Sequence, residues 1–302
     1  MVELNREHDW PSLPYQEWKD TCETLHMWTQ IVGKIRLVQT PLINHWWNVT
    51  LYLTSSGLTT GPIPYSSRSF EIDFDFLSHN LSVRTCDGEV RNMALRPQSV
   101  ADFYHELMAN LRSLGFDIEI YTMPMEVPNP IRFTEDQVHA SYDAEYVRRF
   151  WHALQSINRV FTEFRAGFIG KCSPIHFFWG SFDLAVTRFS GRRAPEREGA
   201  DRITLEAYSH EVISHGFWPG GPGADAIFYS YTSPEPQGLK TAAIGPSGAG
   251  YNTDLGEFVL GYESVRTSVD PDHALMEFLQ STYEAGANLA TWNRAELERQ
   301  QE

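Results

Sequence analysis

From Val147 to Phe168 the chain sets its apolar side chains at Val147, Phe150, Leu154, Ile157, Phe161, Phe164 and Phe168, with spacings of 3, 4, 3, 4, 3 and 4. That period belongs to one face of a helix, and Asp143 stands where an N-cap is needed. A second helix near the start carries Trp18, Cys22, Leu25 and Val32 on one face. Subtracting positions, Phe150 − Trp18, Leu154 − Cys22 and Ile157 − Leu25 each give 132. The recurrence predicts an internal duplication.

The segment after each helix supports the same reading. Ile43 to Thr54 alternates, with Trp47, Val49, Leu51 and Leu53 on one face and Trp46, Asn48, Thr50 and Tyr52 on the other. Lys171 to Arg193 alternates likewise: Phe178, Phe182, Leu184 and Val186 are apolar, and Trp179, Ser181, Asp183, Ala185 and Thr187 oppose them. Setting His45-Trp46-Trp47 against His176-Phe177-Phe178 gives an offset of 131 and brings the apolar faces into coincidence. Register matters here because a slip of one residue exchanges the faces of a strand.

Further elements complete each half. SFEIDFDFL and LSVRTC form a hairpin about Ser78-His79-Asn80, Ser99–Leu114 is a helix ended by Gly115, and FDIEIY is a short strand. In the second half LEAYSHEVISHGFW, DAIFYSY and EFVL are strands and Pro271–Leu289 is the last helix. The expected fold is α+β, two pseudo-symmetric halves each built as helix, antiparallel sheet, helix. The first half spans 1–123 and the second 135–302; the proline-rich stretch at 124–134 links them.

Composition narrows the function classes. In 302 residues, 42% are hydrophobic and 21% charged, the balance of a globular chain. A formal charge of −15 opposes binding to nucleic acid, which needs Lys and Arg against phosphate, and to anionic membrane surfaces. Three scattered cysteines make neither a disulfide framework nor a cysteine-rich zinc site. The N-terminal residues carry no basic stretch followed by an apolar run, and no apolar run approaches ~18 residues, so the cytoplasm is the expected compartment. Nine tryptophans among 13% aromatics make an aromatic-lined pocket a reasonable expectation.

The candidate site residues lie on the strands. Asp183 interrupts an otherwise uncharged face, and a buried carboxylate needs a partner. His210, in EAYSHEV, is a candidate acid–base that Asp183 would orient, since imidazole titrates near ~6.5. Arg188 is a candidate anchor for an anionic substrate, and Trp46, Tyr52, Trp179 and Ser181 are candidate pocket walls. His45 and His176 each precede two aromatics, and across a pseudo-twofold they would offer a divalent metal two imidazoles. No phosphate-cradling GxxxxGK[ST] or GxGxxG, no GxSxG elbow and no HExxH occurs.

TLHMWTQIVGKIRL, NHWW, GLTTGPIPY, FEIDFDF, KCSPIHFFWGSFDLAVTRFSGRR, EAYSHEV, GFWPGG and FLQSTYEA together resemble a bacterial family known only as a domain of unknown function. The resemblance runs nearly the length of the chain and implies a full-length protein of one architecture. It implies no activity, cofactor or catalytic residue. The expectation is an enzyme acting on a small anionic molecule in a pocket between the halves. The alternatives are a non-catalytic small-molecule binder and a structural protein that oligomerises through its aromatic face.

Overall fold

The computed structural model describes residues 9–300 and is mixed α and β, with two antiparallel sheets. Helix α1 (Tyr15–Gln39) precedes β1 (Tyr52–Leu53), β2 (Gly57–Thr59), β3 (Ile63–Tyr65), β4 (Arg68–Asp75), β5 (Asn80–Thr85), β6 (Val90–Ala94) and α2 (Val100–Ser113). Helix α3 (Ala144–Ala166) then opens a second series: β7 (His176–Phe178), β8 (Asp183–Arg193), α4 (Arg202–Ala207), β9 (His210–Trp218) and β10 (Ile227–Ser233). It closes with β11 (Gly250–Asn252), β12 (Glu257–Gly261), α5 (Tyr262–Arg266), α6 (Pro271–Leu289) and α7 (Arg294–Leu297). The first sheet runs β1-β2-β4-β5-β6 with β3 on β4, and the second runs β11-β12-β10-β9-β8-β7.

This order is compatible with two duplicated halves. Each sheet is set between a preceding and a following helix; β7 to β10 form a meander, after which β11 takes the far edge and β12 returns between it and β10, and the edge strands β1 and β7 meet. There Leu51 and Phe177 exchange both backbone hydrogen bonds at 2.9 Å. The indole of Trp18 packs on the ring of Phe150 at 5.2 Å between centroids, so two residues equated by the helical offset touch each other.

The helices obey their apolar spacing. Asp143 caps α3 by accepting from the amides of Glu145 and Tyr146, Ser99 caps α2 and Asp270 caps α6. Four strand expectations change. Within Ile43 to Thr54 only Tyr52–Leu53 is strand, because buried Asn48 folds the chain back on itself. Its Oδ1 accepts from the Ile43 amide, its Nδ2 donates to Thr40, and its carbonyl accepts from Arg36. Lys171 to Arg193 is a hairpin and not one strand: the chain reverses between Phe178 and Asp183, with Phe182 in the left-handed region at φ 60°. The first residues of LEAYSHEVISHGFW form α4, capped by Asp201, and FDIEIY is irregular.

The two faces of the second sheet have different fates. Leu184, Val186, Ile213, Phe217 and Phe228 face α3 and α6 and are buried. Gly286 of α6 sits so close to Ile213 and Thr232 that a Cβ there would lie 2.3 Å from the Thr232 hydroxyl. Asp183, Ala185, Thr187, Phe189, Val212, Ser214, Tyr229 and Tyr231 face the other way, into a cavity.

Candidate functional site

The cavity on that face has a volume of about 560 Å³. Its floor is the sheet, with Phe178, Asp183, Val212, Ser214, Tyr229 and Tyr231 among the floor residues, and Trp218 and Glu257 also line it. The other side is roofed by His45 and Trp47 with Ala207 of α4. Hydrogen bonds hold the roof together: His45 donates its backbone amide to Glu206 (3.1 Å), and its Nδ1 lies 3.1 Å from the Glu206 carbonyl. Lys171 donates to His45 Nε2 at 2.6 Å, which fixes the neutral ring with its proton on Nδ1. Burial, and then the Lys171 charge, hold His45 below its ordinary pKa.

Asp183 begins β8 immediately after the turn, opposite Phe178, and is 6% exposed. Ser181 donates to its Oδ1 at 2.5 Å and the Tyr229 hydroxyl donates to its Oδ2. Desolvation by burial pushes its carboxyl up to about 6 despite those donors. Glu257, on β12, is pushed up to about 7 by burial and by the neighbouring Asp183 charge. Glu126 reaches the cavity from the proline-rich stretch; the residue is exposed at the cavity mouth, yet partial desolvation still raises its pKa. Among the described residues neither Glu126 nor Glu257 has a side-chain hydrogen bond or an ion-pair partner. Among the described residues no lysine or arginine lines the cavity, and Lys171 stands behind its wall against His45, Trp47 and Phe189.

Glu126 comes this close for a local reason. It sits at φ 55°, in the left-handed region, and its Oε1 lies 2.7 Å from where a Cβ on Gly180 would be. Only glycine in the β7–β8 turn leaves room for it. The surrounding stretch is pinned along α1: Gln30 donates to the Met125 carbonyl and accepts from its amide, both at 2.8 Å, and Lys34 donates to the Met123 carbonyl at 2.6 Å. The stretch expected to be a linker is thus a wall of the site.

The residues expected from sequence are divided by the fold. Ser181 and Asp183 line the cavity and touch each other. The pairing expected between His210 and Asp183 does not form: they lie toward opposite ends of β9, with Phe217 beside Asp183's neighbour Leu184 and His210 beside Arg193. Seven residues of strand from His210 to Phe217 span about 23 Å at roughly 3.3 Å each. His210 stands near His45 instead, ring centroids 5.7 Å apart. Arg188 cannot anchor a ligand in this cavity, because its parity on β8 turns it to the helix side. There it is 2% exposed, donates to the Phe164 carbonyl and lies over the Phe164 ring at 3.4 Å.

Trp179 is directed away from the cavity and packs on Gly33, donating to the Val49 carbonyl at 2.7 Å. Trp46 and Tyr52 do not line the cavity either; Tyr52 is edge-on to His176 at 5.4 Å. His45 and His176 do not present two imidazoles to one metal. Trp47 contacts both rings, at 5.3 and 5.7 Å, and both nitrogens of His45 are engaged. His176 is fully buried, and burial drives its pKa down to about 3. Among the described residues no three of His, Cys, Asp or Glu are placed to share a metal ion.

Glu126, Glu257, Trp218, Tyr229 and Tyr231 were not among the expected residues. Tyr229 and Tyr231 carried a signal, since they alternate with Phe228 and Ser230 and so share a face. Glu257 and Glu126 carried none, because distant segments create their surroundings. No curated protein and no solved structure matches the chain. A family model does match, over residues 10–299, and it is described as a family of unknown function, DUF5996. The chain belongs to that family.

Proposed function

We propose that this protein takes a small amine-bearing molecule into the cavity over its second sheet. The observation that carries the reading is the pair Glu126 and Glu257, partly desolvated carboxylates on one aromatic-walled space with no donor supplied by the protein. An uncompensated carboxylate in such a place is costly, and a ligand ammonium offsets that cost. Trp218, Tyr229 and Tyr231 offer π faces that favour the same charge, each contact contributing about 0.5–2 kcal/mol. An anionic ligand, the expectation built on Arg188, would meet three carboxylates and no cation on these walls.

Calorimetric titration of hexylamine and hexanoate tests the sign. Hexylamine should bind, with affinity rising about tenfold from pH 5 to pH 8 as Asp183 and Glu257 ionise; hexanoate should not. Hexanoate binding as tightly as hexylamine would overturn the reading.

Acid–base chemistry on the bound molecule is the second reading, supported by carboxyl pKa values of about 6 and about 7 in reach of one ligand. Titration near pH 6.5 in buffers of different ionisation enthalpy should show proton release on amine binding, and Glu257→Gln should abolish most of it. Binding with no proton exchange at that pH would exclude this role.

A further inference from the structure

A second cavity of about 260 Å³ adjoins the first and shares Glu126, Ser181 and Trp218 with it. It lies between α1, the proline-rich stretch and the Gly220-Gly221-Pro222 turn. Its walls include Met27, Val127 and Ile131, so it is largely apolar away from the junction. The acid on its α1 wall, Glu23, already accepts from Tyr15 at 2.9 Å, and His26 is engaged by the Gly180 carbonyl at 2.8 Å. Glu126, at the junction, is not engaged. Resting on the amine reading above, we infer that the ligand is a linear diamine or polyamine spanning both cavities, and that Glu126 is the specificity residue for its second ammonium.

The physical case is one of spacing and charge. One ammonium at Asp183 and Glu257 leaves the Glu126 carboxylate partly desolvated and unpaired at the mouth of the next chamber. A second ammonium on the same chain answers it. The carbons between them would run past the Trp218 indole, which both chambers share. The left-handed backbone at Glu126 and the missing side chain at Gly180 hold this carboxylate where it is. Strain of this kind persists where surrounding structure enforces it.

The test is a comparison of hexylamine with α,ω-diamines of four to eight carbons, titrated calorimetrically into the full chain at pH 8. At least one diamine should bind tenfold or more tighter than hexylamine. Glu126→Gln should remove most of that diamine's tenfold advantage, and should weaken hexylamine, which has no second ammonium, by much less. Gly180→Ala, whose methyl displaces the Glu126 carboxylate without touching its charge, should show the same selective loss. If hexylamine binds and no diamine binds tighter, or if Glu126→Gln weakens both ligands equally, the inference fails while the amine site stands. If neither class of amine binds, the amine site itself is wrong.

Discussion

Near pH 7 the Glu257 carboxyl is only about half ionised, where a free glutamate has lost its proton. Its carboxyl titrates near 7 in the fold against 4.5 in an open chain. Between those values the native state binds a proton that the unfolded chain releases, so stability falls as pH rises through that window. Relative to Glu257, a glutamine escapes this penalty. Glu257→Gln should therefore unfold at the same denaturant concentration as the parent below pH 4.5. At pH 8 it should be more stable by about 1 kcal/mol, a figure reduced because the group is partly solvated. Urea melts at both pH values check this, and a variant less stable at pH 8 would contradict it. Asp183 has the same sign for the same reason, but its hydrogen bonds from Ser181 and Tyr229 make its substitution harder to read.

Helix α1 is buried on nearly every side and passes close behind the β7–β8 turn. Gly33 is what permits this approach, since a Cβ there would lie 2.3 Å from the Trp179 indole, which is itself held to Val49. On helix propensity alone Gly33→Ala should stabilise by about 1 kcal/mol. Overpacking outweighs that gain, and a net loss of about 2 kcal/mol is expected in urea unfolding, with Trp179→Leu relieving it in the double variant. Elements with a strong helical period were legible in the sequence for a physical reason: a 3.6-residue repeat survives whatever packs against it. Strand alternation was less secure. Ile43 to Thr54 alternates, yet Asn48 offers the backbone closer partners than a neighbouring strand does. At the site, Ser181 and Asp183 were legible as polar residues two apart in an aromatic segment, although Ser181 stands in the turn and only Asp183 on the strand. Glu126 and Glu257 were not, because nothing local to either predicts that Gly180 or Asp183 will stand beside it.

The whole molecule is joined along several seams at once. The sheets meet at Leu51 and Phe177, α1 packs on α3 through Trp18 and Phe150, and the proline-rich stretch is fastened to α1 by Gln30 and Lys34. Two halves sharing this much core should unfold together. Differential scanning calorimetry is expected to give a single transition with equal calorimetric and van't Hoff enthalpies, and two resolved transitions would contradict it. Segments far apart in the chain are fastened as well. Trp10 donates to Asp272 at 3.0 Å, and Tyr262 donates to the Pro11 carbonyl at 2.9 Å. A ribosome delivers Trp10 a full 262 residues before Asp272, so the berth for that indole does not exist until the last long helix has been made. Until then the indole N–H lacks the acceptor that holds it in the finished protein, and synthesis must run almost to its end before the first described residues are locked in place.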